Sequence, residues 1–199
     1  MGMDLCEGLI AAHERGLVHS DIKPLNLFLD QSGRVKIADF GLARQISAAE
    51  AKAALAAAPA DGGNGAGAPP ISMVGAKGPV LGTPGYMAPE QAEGLPPTPA
   101  SDIYAAGVVI HEVLTGQRMF TGRTPLSLMV EQQRGPRHRA ADLNPGVPAG
   151  LDDIIMRCLS RDPAQRPAAA ELGAELTAWH DRLRRASHTP RAAGFPAHP

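Results

Sequence analysis

With 199 residues the chain is long enough to bury a sizeable core and falls between one domain and two. Apolar residues at 44% and charged residues at 20% are ordinary for a globular protein, and a formal net charge of −1 gives no electrostatic reason for a nucleic-acid partner. No run of about 18 apolar residues occurs, which excludes a membrane-crossing helix in this sequence.

The first predicted element is a helix over Asp4–Arg15, with Leu5, Leu9, Ile10 and Ala12 on its apolar side and Gly16 as its stop. His19-Ser20-Asp21-Ile22-Lys23-Pro24-Leu25-Asn26 follows. Leu27-Phe28-Leu29 and Val35-Lys36-Ile37, joined through Gly33, read as two short strands of a hairpin. That hairpin sets the first polar cluster beside Asp39-Phe40-Gly41. Asp21, Asn26 and Asp39 would then meet Lys23 at one rim. Two carboxylates and a carboxamide oxygen suit a hard divalent cation such as magnesium, and a lysine among them supplies a point charge for a phosphoryl group.

Residues 47–79 are rich in Ala, Gly and Pro. Ala48–Ala58 could form a short helix without a wide apolar face, and Pro59–Pro70 reads as a disordered insertion. Ser101–Thr115 is apolar almost all round, predicting a buried helix that Gly116 ends. Pro125 starts a helix to about Arg134, a polar, basic loop runs to Pro148, and Leu151–Leu159 is helical. A last helix is predicted from Pro167 to about Leu183, and 184–199 reads as a disordered tail. Cys6 and Cys158 read as buried thiols in a reducing compartment rather than a disulfide, which points to the cytoplasm.

His19–Asn26 resembles the catalytic loop of a protein kinase, and Asp39-Phe40-Gly41 its metal-binding motif. Gly82-Thr83-Pro84-Gly85-Tyr86-Met87-Ala88-Pro89-Glu90 resembles the end of the kinase activation segment. Ser101–Gly107 resembles the start of the central helix of the C-lobe, and Arg161–Pro167 the loop before its last helix. The match extends over about residues 1–182 and is closest to the eukaryotic-like Ser/Thr kinases of bacteria. It implies a mainly α, kinase-like C-lobe (from an α+β family fold), helical with a short catalytic β-hairpin, over residues 1–183.

The resemblance assigns roles residue by residue. Asp21 would orient and accept the proton of a substrate hydroxyl, and Lys23 would neutralise the transferring phosphate. Asn26 and Asp39 would hold magnesium, Phe28 would lie under the adenine of ATP, and Thr83 would position the acceptor Ser or Thr. His19 would pack near Phe40, Glu90 would pair with Arg166, and Asp102 would brace the catalytic loop. Ser20 departs from the family, where an arginine that clamps a phosphorylated activation loop usually stands. Serine cannot hold a phosphate bidentately, so activation through this position is not expected. Hydroxyls in the long segment are also scarce, with only Ser47 and Ser72 before Thr83.

The predicted first helix resembles the one preceding the catalytic loop, and it begins almost at Met1. The Gly-rich phosphate loop, the strand lysine and its glutamate are therefore expected to be missing as an N-lobe. The leading expectation is a Ser/Thr protein kinase acting on protein substrates with ATP and magnesium, incomplete as this chain. A partner supplying an N-lobe would complete it. The alternative is a pseudokinase-like C-lobe serving as a protein-binding or regulatory module. A small-molecule kinase is disfavoured, because Thr83–Glu90 resembles a peptide platform.

Overall fold

The computed structural model describes residues 1–46, 74–75, 78–79 and 82–188. The expected alanine-rich helix, most of the insertion and the end of the tail lie outside these residues. The elements run α1 (Gly2–His13), β1 (Leu17–Val18), β2 (Leu27–Leu29), β3 (Val35–Ile37), β4 (Arg44–Gln45), β5 (Val74–Gly75) and β6 (Gly78–Pro79). Then come α2 (Pro89–Ala92), α3 (Pro99–Thr115), α4 (Pro125–Arg134), α5 (Ala140–Leu143), α6 (Ala149–Cys158) and α7 (Ala169–His188). Short 3-10 turns occupy Pro24–Asn26, Phe40–Leu42 and Pro163–Gln165.

The core is built around α3. Thr98 is its N-cap, Ser101 Oγ accepts from the Thr98 amide at 3.0 Å, and Gly116 closes it in the left-handed conformation at φ +68°. Ser101 to His111 is buried without interruption. The run Val108-Val109-Ile110 has middling helix propensity, a disadvantage of at most about 0.7 kcal/mol per residue. Burial of such a side chain contributes about 1.5–3 kcal/mol, so packing decides the conformation. Helices α1, α5 and α6 all pack on α3. At Gly107 an added Cβ would stand 2.8 Å from Cys158 Cβ, so α6 can approach only because that side chain is absent. Burial ends before the helix does, and Val113 is 59% exposed.

Helix α1 presents Leu5, Cys6, Leu9 and Ala12 to the core and packs on α7 and β3. Cys6 and Cys158 are buried and free, and burial pushes both thiols up to about 12. Two expectations need correction. The basic loop before Pro148 contains the short helix α5, and α7 continues through 184–188 instead of giving way to a tail at 184.

The ion pair anchoring the lower half is bidentate. Arg166 Nη1 and Nη2 donate to Glu90 Oε1 and Oε2 at 2.7 and 2.8 Å, and the Arg166 side chain has no exposed surface. Its guanidinium also donates to the carbonyls of Ala100, Ser160 and Arg161 and lies 5.0 Å from the Tyr104 ring centre.

His111 is 1% exposed, and neither ring nitrogen has a hydrogen-bond partner among the described residues. Burial lowers its pKa, opposed by the His138 backbone and by the charges of Asp152 and Glu112. The unfolded chain therefore binds this proton more readily than the folded one. Its contribution is complete above the unfolded pKa of about 6.5 and is lost as pH falls from there through the folded value. Urea titrations between about pH 7.5 and 5.5 should show stability declining more steeply in the wild type than in His111→Phe. Equal slopes would remove His111 from the explanation.

Candidate active site

Antiparallel pairing of β1 with β4 (Leu17↔Gln45, Val18↔Arg44) places the chain entering His19 beside the chain leaving Leu42. The β2–β3 hairpin, in register Leu27↔Ile37, Phe28↔Lys36 and Leu29↔Val35, returns the backbone from Asn26 to Ala38. Ala38 N donates to Asn26 O at 2.9 Å, and His19 Nε2 lies 3.1 Å from Ala38 O. The His19 ring meets Phe40 edge-on at 4.7 Å. Asp39 thus follows directly on two clamps to the His19–Asn26 loop.

Asp21, Lys23 and Thr83 form a closed triangle. Thr83 N and Oγ1 donate to Asp21 Oδ1 at 3.0 and 2.7 Å. Lys23 Nζ donates to Asp21 Oδ2 at 2.6 Å and to Thr83 Oγ1 at 2.8 Å. Burial alone would raise the Asp21 pKa, but the hydrogen bonds and charge from Lys23 and Thr83 outweigh it and hold the carboxyl below its ordinary value. Asp21 is therefore an ionised acceptor. Asn26, 5% exposed, donates through Nδ2 to Asp21 O at 2.9 Å and to Asp21 Oδ2 at 3.3 Å.

Asp39 sits in the left-handed region at φ +62°, and its Oδ1 accepts from Gly41 N at 3.2 Å. A Cβ on Gly41 would stand 2.9 Å from that same oxygen, so a side chain there would push the Asp39 carboxylate aside. Among the described residues, no hydrogen bond joins Asp39 to Asp21, Lys23, Asn26 or Thr83. Asn26 Oδ1 and Asp39 Oδ2 likewise accept nothing there. Phe28 stands apart from the triangle on the hairpin and is 56% exposed.

The loop is held from below by Asp102. Its Oδ2 accepts from His19 N at 2.9 Å and its Oδ1 from Ser20 N at 2.8 Å, while His13 Nε2 lies 2.9 Å from Oδ2. These bonds fix Ser20 at φ +70°, a left-handed conformation rare for a non-glycine residue. Nothing in the sequence marks His13 as a site residue, since 89 positions separate it from Asp102 and no local signal reports the contact. Asp102→Asn retains one carbonyl acceptor but turns an NH2 group toward donors. It should lower unfolding stability by about 1–3 kcal/mol, read by urea denaturation.

Beside Thr83 a cleft of about 300 Å³ is lined by Pro84, Gly85, Tyr86, Glu112, Phe120 and Leu128 among others. Tyr86 Oη donates to Glu112 Oε2 at 2.8 Å, and burial together with Glu112 pushes the phenol up to about 12.

The protein kinase domain family matches residues 1–176. The chain belongs to the protein kinase family. It is 36% identical over 177 residues to serine/threonine-protein kinase PknL of Mycobacterium tuberculosis, covering 88% of this chain and 39% of that relative. It is 34% identical over 179 residues to serine/threonine-protein kinase PknB of the same species, covering 89% of this chain and 25% of that relative. The chain thus spans well under half the length of these relatives.

Family membership implies ATP and magnesium. Among the described residues no group of three or more His, Cys, Asp or Glu side chains could hold a metal. By their chemistry Asn26 Oδ1 and Asp39 Oδ2, which accept no hydrogen bond among the described residues, are hard oxygen donors of the kind magnesium takes together with phosphate and water. No helix of the described residues is long and apolar enough to cross a membrane.

Proposed function

We propose that this kinase-family chain, placed in the cytoplasm, supplies the catalytic and acceptor-binding half of a Ser/Thr protein kinase, transferring the γ-phosphoryl group of ATP to Ser/Thr hydroxyls of proteins. The observation that carries the reading is the triangle of Asp21, Lys23 and Thr83, in which a hydroxyl already occupies the acceptor position of the Asp21 carboxylate. A substrate hydroxyl would take a similar place, orienting its lone pair toward the phosphorus and giving its proton to Asp21. The depressed pKa of Asp21 makes it a weak base, so orientation outweighs proton abstraction until bond formation is advanced. Lys23 holds positive charge against the phosphoryl oxygens. Asn26 and Asp39 would hold magnesium, whose chemistry there is to neutralise charge on the phosphates. Phe28 would lie under the adenine, and the cleft beside Thr83 supports a peptide rather than a small-molecule acceptor.

A second reading is favoured by one observation, the apolar rim of Leu25 (80% exposed), Leu29 (73%), Phe28 and Phe40. Such a surface wants cover, from a nucleotide-binding lobe or from a protein partner. Leu27, in the same hairpin, is half-buried against the core. Magnesium–ATP turnover separates the readings. The 199-residue chain alone should turn over orders of magnitude more slowly than the same residues joined to a lobe bearing a Gly-rich loop and a strand lysine. Equal rates would refute the view that this half is incomplete, and no transfer in either form would favour the binding module.

A further inference from the structure

The cleft beside Thr83 has two charged side chains on its walls, and they stand in opposite states. Glu112 of α3 is half-buried and already engaged: its Oε2 accepts from Tyr86 Oη at 2.8 Å and its Oε1 from Met119 N at 3.3 Å. Arg118, on the loop between α3 and α4, is exposed and makes no hydrogen bond or ion pair among the described residues. Its charge nevertheless reaches the cleft, since it draws the Tyr86 pKa down against the upward push of burial and Glu112. The same asymmetry continues along the loop. Glu131 accepts from Thr121 N and Gly122 N at 2.8 and 3.1 Å and pairs with Arg137 at 3.0 Å. Arg123, next to Gly122, is exposed with no such partner among the described residues. The carboxylates here are engaged and the two guanidiniums are not, so positive charge is what the loop offers a ligand.

We propose that Arg118 is a specificity-determining residue, which holds the carboxylate of an Asp or Glu lying within about three residues of the acceptor Ser or Thr. The proposal rests on the kinase reading and deepens it, naming an acidic acceptor peptide as the substrate class. Pro84 and Gly85 line the cleft and directly follow Thr83, whose hydroxyl marks the acceptor position. An extended peptide advances about 3.3–3.6 Å per residue, so a side chain two or three places from the acceptor reaches these walls. At about 300 Å³ the cleft has room for one such side chain. Phe120 and Leu128 supply apolar wall for its methylene stem, and a guanidinium can grip its head through two parallel N–H donors. A lysine or arginine fits less well, because Arg118 repels it and Glu112 has already given its oxygens to Tyr86 and Met119.

Peptide titrations of the 199-residue chain test this without catalysis. The probes are short uncharged peptides with one central Ser and a single Glu placed in turn at each of the three positions on either side. Each is matched by its Gln isostere and by a Lys counterpart, and binding is read from the ¹H–¹⁵N shifts of Gly85 and Gly122. At low salt the best Glu peptide should bind about two- to fivefold more tightly than its Gln isostere, a gap typical of a partly exposed ion pair and one that added salt should close. Arg118→Gln should abolish the gap, and Arg118→Glu should turn the preference to the Lys peptide. Three results would each overturn the proposal while leaving the kinase reading intact: Glu and Gln peptides that bind alike, a Lys peptide that binds the wild type best, or a Glu preference that survives in Arg118→Gln. Shifts absent for every peptide would overturn the proposal and, with it, the acceptor-binding part of that reading.

Discussion

Replacing Asp21 with Asn should cut phosphoryl transfer by about a hundred- to ten-thousand-fold in a kinase completed from this lobe, the range expected for a positioned acid–base group. Both carboxylate oxygens are engaged: Oδ1 accepts from Thr83 and Oδ2 from Lys23 and Asn26. Asparagine keeps one acceptor and offers an NH2 group to the other donors, so an incoming hydroxyl loses its orientation. Asp30, in the hairpin turn, accepts from Ser32 and Arg34 and lies outside the triangle. The Asp30→Asn variant should therefore transfer phosphate at the wild-type rate. Steady-state transfer from labelled ATP to a Ser/Thr peptide, measured for both variants, checks the prediction. A loss shared equally by the two would point to general destabilisation instead.

The second large effect is on stability. Arg166→Met leaves the Glu90 carboxylate buried without its bidentate partner, and truncating one member of such a pair costs about 3–5 kcal/mol. The remaining side-chain donor to Glu90 among the described residues, Ser101 Oγ at 2.9 Å, is neutral and cannot balance the charge. The double variant Glu90→Leu/Arg166→Met should regain part of the loss, since apolar replacement of a buried pair is often close to neutral. Recovery is incomplete because Arg166 also serves the carbonyls of Ala100, Ser160 and Arg161. Urea unfolding of the single and double variants gives the coupling. A single-variant loss below about 1 kcal/mol would mean that water reaches Glu90 as readily as it reaches a surface carboxylate.

How far the sequence could be read depended on whether the deciding interaction was local. Gly116 ends α3 as its local signal says, although the helix starts at Pro99, two residues before the expected Ser101, and the β2–β3 hairpin follows from alternation around a glycine turn. Both signals lie within a few residues of what they control. The exposure of Val113 was not legible, because it depends on where neighbouring helices stop covering α3. Helix α7 runs past Leu183 because extending a formed helix through Arg184 and Arg185 adds a hydrogen bond per residue at little cost, whatever the apolar period does. In the site, Asp21, Lys23, Asn26 and Asp39 lie within two short motifs, and Thr83 lies in a third. The left-handed backbones of Ser20 and Asp39 were hidden, since the first is imposed by Asp102 from 82 positions away.

The claim that these polar groups form a phosphoryl-transfer site is tested most directly by following the terminal phosphate of labelled ATP into a peptide bearing Ser, Thr and Tyr. The enzyme should be this lobe joined to a nucleotide-covering lobe. The account predicts label on Ser or Thr and none on Tyr, dependent on a divalent cation and lost in Asp39→Asn. Label that persists undiminished in Asp39→Asn, or that forms equally well in excess chelator, would contradict it.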